Sequence, residues 1–223
     1  MGGFFLLTLM ALLLILIADA TPLDLNLAHA FASPQGFALQ DHWLLSQVLH
    51  ADMRTASRFF LVIFVLGIAW PIGPLRALTR GARARWVLCT VGVLLVVPII
   101  KHYSLTSCPW DLAQFGGAAQ WVSHWAWGVA DGGPGGCFPA GHASTGLAFV
   151  TGYFWLRKPA PKAARYWLCA ALLIGLILGF VQQLRGAHYM SHTLWTAWLC
   201  WTTAGVLYFL SEKVFLCSNS GNS

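Results

Sequence analysis

Charge is scarce in this sequence. Lys, Arg, Asp and Glu make up 9% of its 223 residues, whereas a soluble domain carries about 25%. Acidic side chains are scarcer still, seven against thirteen Lys and Arg. The shortage excludes an ordinary water-soluble globule. No basic-aromatic motif accompanies the net charge of +6, so the excess does not describe a nucleic-acid surface and no nucleic-acid partner is expected. Low-complexity linkers and internal repeats are missing too, which leaves a single membrane-embedded domain over residues 1–223 as the expectation.

Apolar sequence takes the place of the missing charge. The chain is 58% hydrophobic with a mean hydropathy of +0.67. Its apolar runs approach the ~20 residues that a helix needs to cross a bilayer. Six such spans are read, at about 3–19, 58–75, 85–101, 142–156, 166–183 and 193–211. An all-α, polytopic six-helix bundle follows, because hydrocarbon does not tolerate open backbone. The loops RALTRGARAR (Arg76, Arg80, Arg83, Arg85) and RKPAPKAAR (Arg157, Lys158, Lys162, Arg165) hold eight of the thirteen basic residues. The positive-inside rule makes them cytoplasmic. Asp19, Asp24, Asp41, Asp52, Asp111 and Asp131 then fall on the opposite side. The stretch LIADATP resembles a signal-peptidase site, but MGGFF carries no positive charge, which favours an uncleaved first helix.

Between spans, residues 21–55 are too polar to cross and read as a connector at the outer membrane–water boundary. The segment from Lys101 to Gly141 holds two cysteines, Cys108 and Cys137. Facing an oxidising compartment, they are expected to form a disulfide.

Three polar clusters end spans on this outer side: KHYSLTSCP with Lys101, PAGH with Gly141 and His142, and QQLRGAHYMSH with Arg185, His188 and His192. Ionisable residues facing a bundle interior are functional candidates. Arg185, His188 and His192 are spaced i, i+3, i+7, which on a helix puts them on one face. Arg matches phosphate oxygens with a planar fork, and the PAGH segment opens a helix whose free N–H groups favour an anion. Two histidines, two cations and a helix start around one anion point to phosphoryl transfer through a phosphohistidine. The remaining histidines (His29, His42, His50, His102 and His124) read as surface or interfacial.

At these residues the chain resembles the type 2 phosphatidic acid phosphatase family of integral membrane lipid phosphatases. That family's motifs, K-x6-R-P, P-S-G-H and S-R-x5-H-x3-D, align with KHYSLTSCP (101–109), PAGH (139–142) and VQQLRGAHYMSH (181–192). The resemblance implies His188 as nucleophile, His142 as general acid, and Lys101 and Gly141 as phosphate ligands in an outward-facing, metal-free site. Departures are visible. Cys108 stands at the motif-one Arg, Ala140 at the motif-two Ser, and Gln182 at the motif-three Arg, with Arg185 one turn on. His192 stands at the Asp that orients the nucleophile, and neither Asp111 nor Asp131 is placed there by the sequence. The signatures CPWDL, CFPAGH and RGAH resemble a divergent subgroup associated with lipid A modification.

Two rivals remain at this stage. His188-x3-His192 has the spacing of zinc-binding helices, with His142 as a third ligand, but Lys101 and Arg185 oppose a cation and no HExxH glutamate is present. Loss of the motif-one Arg and motif-three Asp fits a silent lipid-phosphate-binding protein. The expectation is a lipid phosphatase of a bacterial inner membrane, its site facing the periplasm. It acts on a lipid phosphate or diphosphate, with lipid A and undecaprenyl diphosphate favoured, or transfers the phosphoryl group to another lipid. Neither cofactor nor metal is expected; the bilayer and the lipid are the partners.

Overall fold

The computed structural model describes residues 2–33 and 35–220. Its helices are α1 (Gly2–Asp19), α2 (Leu23–Phe31), α3 (Met53–Leu66), α4 (Arg80–His102), α5 (Gly141–Leu147), α6 (Thr151–Leu156), α7 (Pro161–Leu184) and α8 (Met190–Ser220). A 3-10 turn, Ala148–Val150, joins α5 to α6. The only strands among the described residues are a two-residue antiparallel pair, Ala32–Ser33 with Gly36–Phe37. The fold is all-α, as its composition requires.

By length and composition, α1, α4 and α7 can each cross a membrane, and Thr55–Leu66 is a shorter apolar helix. The second span departs from expectation. Residues 58–75 are not one helix: α3 stops at Leu66, and a separate 3-10 turn follows at Gly73–Ala77. Pro71 and Pro74 lie in this stretch, and proline removes the N–H that would continue a helix. Upstream, a π-helical turn over Leu44–Asp52 leads into α3.

Helix ends follow local chemistry. Thr79 caps α4 by accepting from the Ala82 N–H at 3.2 Å, and Pro161 occupies the first position of α7, where its missing N–H costs nothing. Small residues let α5 and α7 meet closely. A Cβ on Gly146 would come 2.6 Å from Gly175 N, a small-residue contact of the kind that membrane helices use. Trp86, Leu147, Phe154 and Leu156 are fully buried between α4, α5, α6 and their neighbours. The Trp86 indole donates to Thr151 Oγ1 at 3.1 Å, and Thr90 Oγ1 lies 2.8 Å from the same oxygen. α1 packs on α8 through indole N–H groups: Trp198 donates to the Thr8 carbonyl and Trp201 to Thr8 Oγ1, both at 3.0 Å. The other flank of α1, including Leu6, Leu14 and Ile17, is exposed as a lipid-facing surface would be.

The two ends of the bundle differ. At one end Arg85 meets Glu212 at 3.7 Å, and Arg157 lies over Tyr208. The other end carries the polar clusters under a cap. Phe37, Leu112, Phe115, Ala119 and Tyr189 form a second apolar core there, and Phe37 fills the space beside Gly186. α2 and the Gly36–Phe37 strand therefore do more than connect spans; they pack over the turn between α7 and α8.

Candidate active site

Lys101 sits in the last turn of α4, Gly141 and His142 in the first turn of α5, Gln182 in the last turn of α7 and His188 in the α7–α8 turn. All five line one cavity of about 380 Å³, with Cys108, Trp110, Ser144 and Ala187. The three sequence clusters thus converge from three helix ends. His142 and His188 are buried, at 6% and 4% exposure. A Cβ on Gly141 would lie 3.8 Å from Lys101 Cδ, so the helix start and the lysine stem pack side by side. Ala140 precedes this turn. Its N–H donates to the His192 carbonyl at 3.3 Å and its own carbonyl accepts from Thr196 Oγ1 at 3.1 Å, which fixes the start of α5 against α8.

The single-face geometry expected for Arg185, His188 and His192 does not form. α7 ends at Leu184, Gly186 turns the chain with φ +74, and α8 begins only at Met190. That left-handed turn, open to glycine at no steric cost, separates the three side chains. Arg185 stands outside the lining of the cavity. Its Nε donates to the Gln40 carbonyl at 2.8 Å, its NH1 group donates to Gln182 Oε1 at 3.1 Å, and the guanidinium lies over Trp110. Gln182, not Arg185, lines the cavity directly, with its Oε1 held by Arg185.

His192 is fully buried, and its Nδ1 lies 3.5 Å from His188 Nδ1. It lines a second cavity of about 340 Å³ with Asp19, Asp24, His124 and Tyr189. His124 is not a surface residue: its Nε2 lies 3.2 Å from Asp19 Oδ2, and its ring stacks on Phe138 and meets His192 edge-on. Asp19 also accepts from the Trp195 and Trp125 indoles at 2.7 and 3.0 Å. Asp24 holds both the N–H and the hydroxyl of Ser191 at the start of α8. Nothing in the sequence spacing links Asp19 or Asp24 to this site, more than a hundred residues away. His29, His42 and His102 are exposed, and the side chain of His50 lies outside the described residues.

Cys108 and Cys137 form a disulfide with Cα atoms 5.2 Å apart. The two loop carboxylates serve the same segment. Asp131 accepts from the Ser107 N–H and hydroxyl and from the Gly133 N–H, and Asp111 accepts from the Cys108 N–H. Neither reaches His188. Burial would raise the Asp131 carboxyl, but its three donors outweigh that and hold it below the usual range. Burial lowers the basicity of His188 well below that of an ordinary histidine, and the positive charge of Lys101 adds to it. An imidazole held neutral keeps the lone pair a nucleophile needs.

A larger cavity of about 440 Å³ is apolar. It is lined by Ala56 and Phe60 of α3, Thr145 and Gly146 of α5, and Ala170, Ile174 and Leu178 of α7. Both cavities use α5 and α7, with the apolar one starting a turn from His142 and Gln182.

The family model of the PAP2 superfamily matches residues 83–215, more than half of the chain, from α4 into α8. Neither a curated protein nor a solved structure matches.

Proposed function

The chain belongs to the PAP2 superfamily, whose members are phosphatases, and from that premise we propose that it dephosphorylates a membrane lipid through a phosphohistidine at His188. At the family level it is a phosphoric-ester hydrolase of the lipid-phosphate type, in a chain with helices able to span a membrane. The observation that carries the finer reading is the meeting of Lys101, Gly141, His142, Gln182 and His188 around one cavity.

In this reading Lys101, the Gln182 amide and the backbone N–H groups near Gly141 hold the phosphate oxygens. His188 Nε2 attacks phosphorus, forming the N–P bond as the P–O bond to the lipid or its remaining phosphate breaks. His142 gives its proton to the leaving oxygen. Water then attacks phosphorus, His142 takes its proton, the N–P bond breaks and inorganic phosphate leaves. Arg185 orients Gln182. The lipid's hydrocarbon lies along the apolar cavity between α3, α5 and α7. Lipid A and undecaprenyl diphosphate are the favoured substrates, in a bacterial inner membrane with the site on the periplasmic side. The whole chain acts as one domain.

The test is phosphate release by the purified chain and by His188→Ala. The panel is lipid A, undecaprenyl diphosphate, phosphatidylglycerophosphate and phosphatidic acid, each with and without EDTA. Release that survives EDTA and disappears in the variant is expected. Release that EDTA abolishes returns the metal reading, and no release from any of the four by a folded protein returns the silent binder.

A further inference from the structure

The nucleophile assigned above has no carboxylate partner. Among the described residues no Asp or Glu is hydrogen-bonded to His188, and Asp111 and Asp131 are engaged with the backbone around Cys108 and Ser107. Something else must fix the imidazole, because a histidine acts through one nitrogen only when the other is held by a partner.

The residue against it is Cys137. Its sulfur lies 3.4 Å from His188 Nδ1, on the same nitrogen that His192 Nδ1 approaches at 3.5 Å. Cys137 is itself immobilised. It is completely buried, its N–H donates to the Thr106 carbonyl at 2.8 Å, and its sulfur is bonded to Cys108. A disulfide sulfur carries no hydrogen and, like a carbonyl oxygen, can only accept. An acceptor against Nδ1 favours the proton on Nδ1, which leaves the lone pair on Nε2.

The geometry points to Cys137, clamped by its bridge to Cys108, as the positioning residue of His188, doing with a disulfide sulfur what a carboxylate would otherwise do. The inference rests on His188 being the nucleophile. It gives the disulfide a role beyond closing a loop, and it makes activity depend on oxidation. Reduction by a phosphine such as TCEP breaks the S–S bond to two thiols: the phosphine supplies two electrons, and water supplies two protons and the oxygen of the phosphine oxide that forms. The Cys137 thiol then has an S–H to donate to Nδ1, which moves the imidazole proton to Nε2 and blocks the attacking nitrogen.

The experiment compares the full chain in detergent when oxidised, TCEP-reduced and reoxidised, with phosphatidic acid and undecaprenyl diphosphate as substrates. Expected on reduction is a fall in kcat of about 10–100-fold, the scale for losing a partner that orients a histidine. KM should stay within about twofold, since Lys101 and Gly141 are untouched. Activity should return on reoxidation. Cys108→Ser should show the low kcat without reductant and ignore TCEP. Nitrogen-15 NMR of labelled histidine should find the His188 proton on Nδ1 in the oxidised protein and redistributed in the reduced one. Unchanged kcat and tautomer on reduction overturn the proposal. A kcat loss that tracks a rise in KM and a drop in melting temperature also overturns it, because the bridge would then only hold the fold. If neither lipid is hydrolysed but the tautomer still responds to reduction, the positioning stands and the assigned activity fails.

Discussion

Two cavities of similar size meet at the histidine pair and differ in charge. The one lined by His188 holds Lys101 and His142 and, among the described residues, no carboxylate. The one lined by His192 holds Asp19 and Asp24. Volumes of about 380 and 340 Å³ cannot sort a phosphate between them; the sign of the local field can, drawing an anion to the first and repelling it from the second. Their origins differ as well. The first is built from α4, α5 and the α7–α8 turn, all inside the stretch matched by the family model, whereas Asp19 and Asp24 lie outside it. In the proposed reading the first chamber carries the family's chemistry, and the acidic chamber, from residues outside the matched stretch, braces the back of the pair.

The hardest blow to this contrast is removal of the residue on the dividing wall. His188→Ala should lower phosphate release by about a thousandfold or more, as loss of a covalent nucleophile does, with helical content and melting temperature close to wild type. Residual turnover within tenfold of wild type would move the nucleophile elsewhere. Lys101→Met tests the charge of the first chamber. A charged hydrogen bond is worth about 1.5–3 kcal/mol, so kcat/KM should fall about 10–100-fold. The acid limb of its pH profile should also move. Burial and Lys101 both lower the basicity of His188, so its neutral, attacking form persists below the usual histidine pKa of about 6.5, and activity is lost as pH falls through the lowered value. Without the lysine that limb should shift to higher pH. A limb that stays in place would separate Lys101 from the nucleophile.

Most of the first chamber was legible in the sequence because each helix end advertises itself: Lys101, PAGH and RGAH all sit where an apolar run stops. The disulfide followed from two cysteines in one long loop between spans. The one-face reading of Arg185, His188 and His192 failed because i, i+3, i+7 spacing assumes one continuous helix, and the glycine two residues before His188 breaks it. The second span misled because an apolar run does not reveal that Pro71 and Pro74 end it early. The acidic chamber was illegible for a different reason. Asp19 reaches Trp195 and His124 across the whole chain, and a contact of that range leaves no periodicity to read. His124 looked like an interfacial histidine since its partners are set by the packing of α1 on α8.

The apolar cavity gives a smaller effect than either charge. Ala170→Phe fills it from α7, away from every polar contact of the site, and should cut kcat/KM for long-chain lipid phosphates by about 10-fold, the range of a few methylenes in a hydrophobic pocket. Short-chain analogues should be unaffected. Equal loss for both chain lengths would mean that α7 has shifted and that the cavity does not hold hydrocarbon.

The smallest catalytic effect is expected in the acidic chamber, and there the two substitutions of Asp19 should separate bracing from chemistry. Asp19→Asn keeps an oxygen for the Trp195 and Trp125 indoles and for His124, so both stability and kcat should stay near wild type. Asp19→Ala leaves buried N–H groups unpaired at about 1–3 kcal/mol each. The melting temperature should drop while kcat changes less than about tenfold, because of its partners only His124 meets His192, and His124 is not in the lining of the first cavity. The reverse pattern, a large kcat loss in the Asn variant at unchanged melting temperature, would mean that the negative charge itself acts on His188 through His192. The second chamber would then belong to the catalytic apparatus, and the division drawn between the two would have to move.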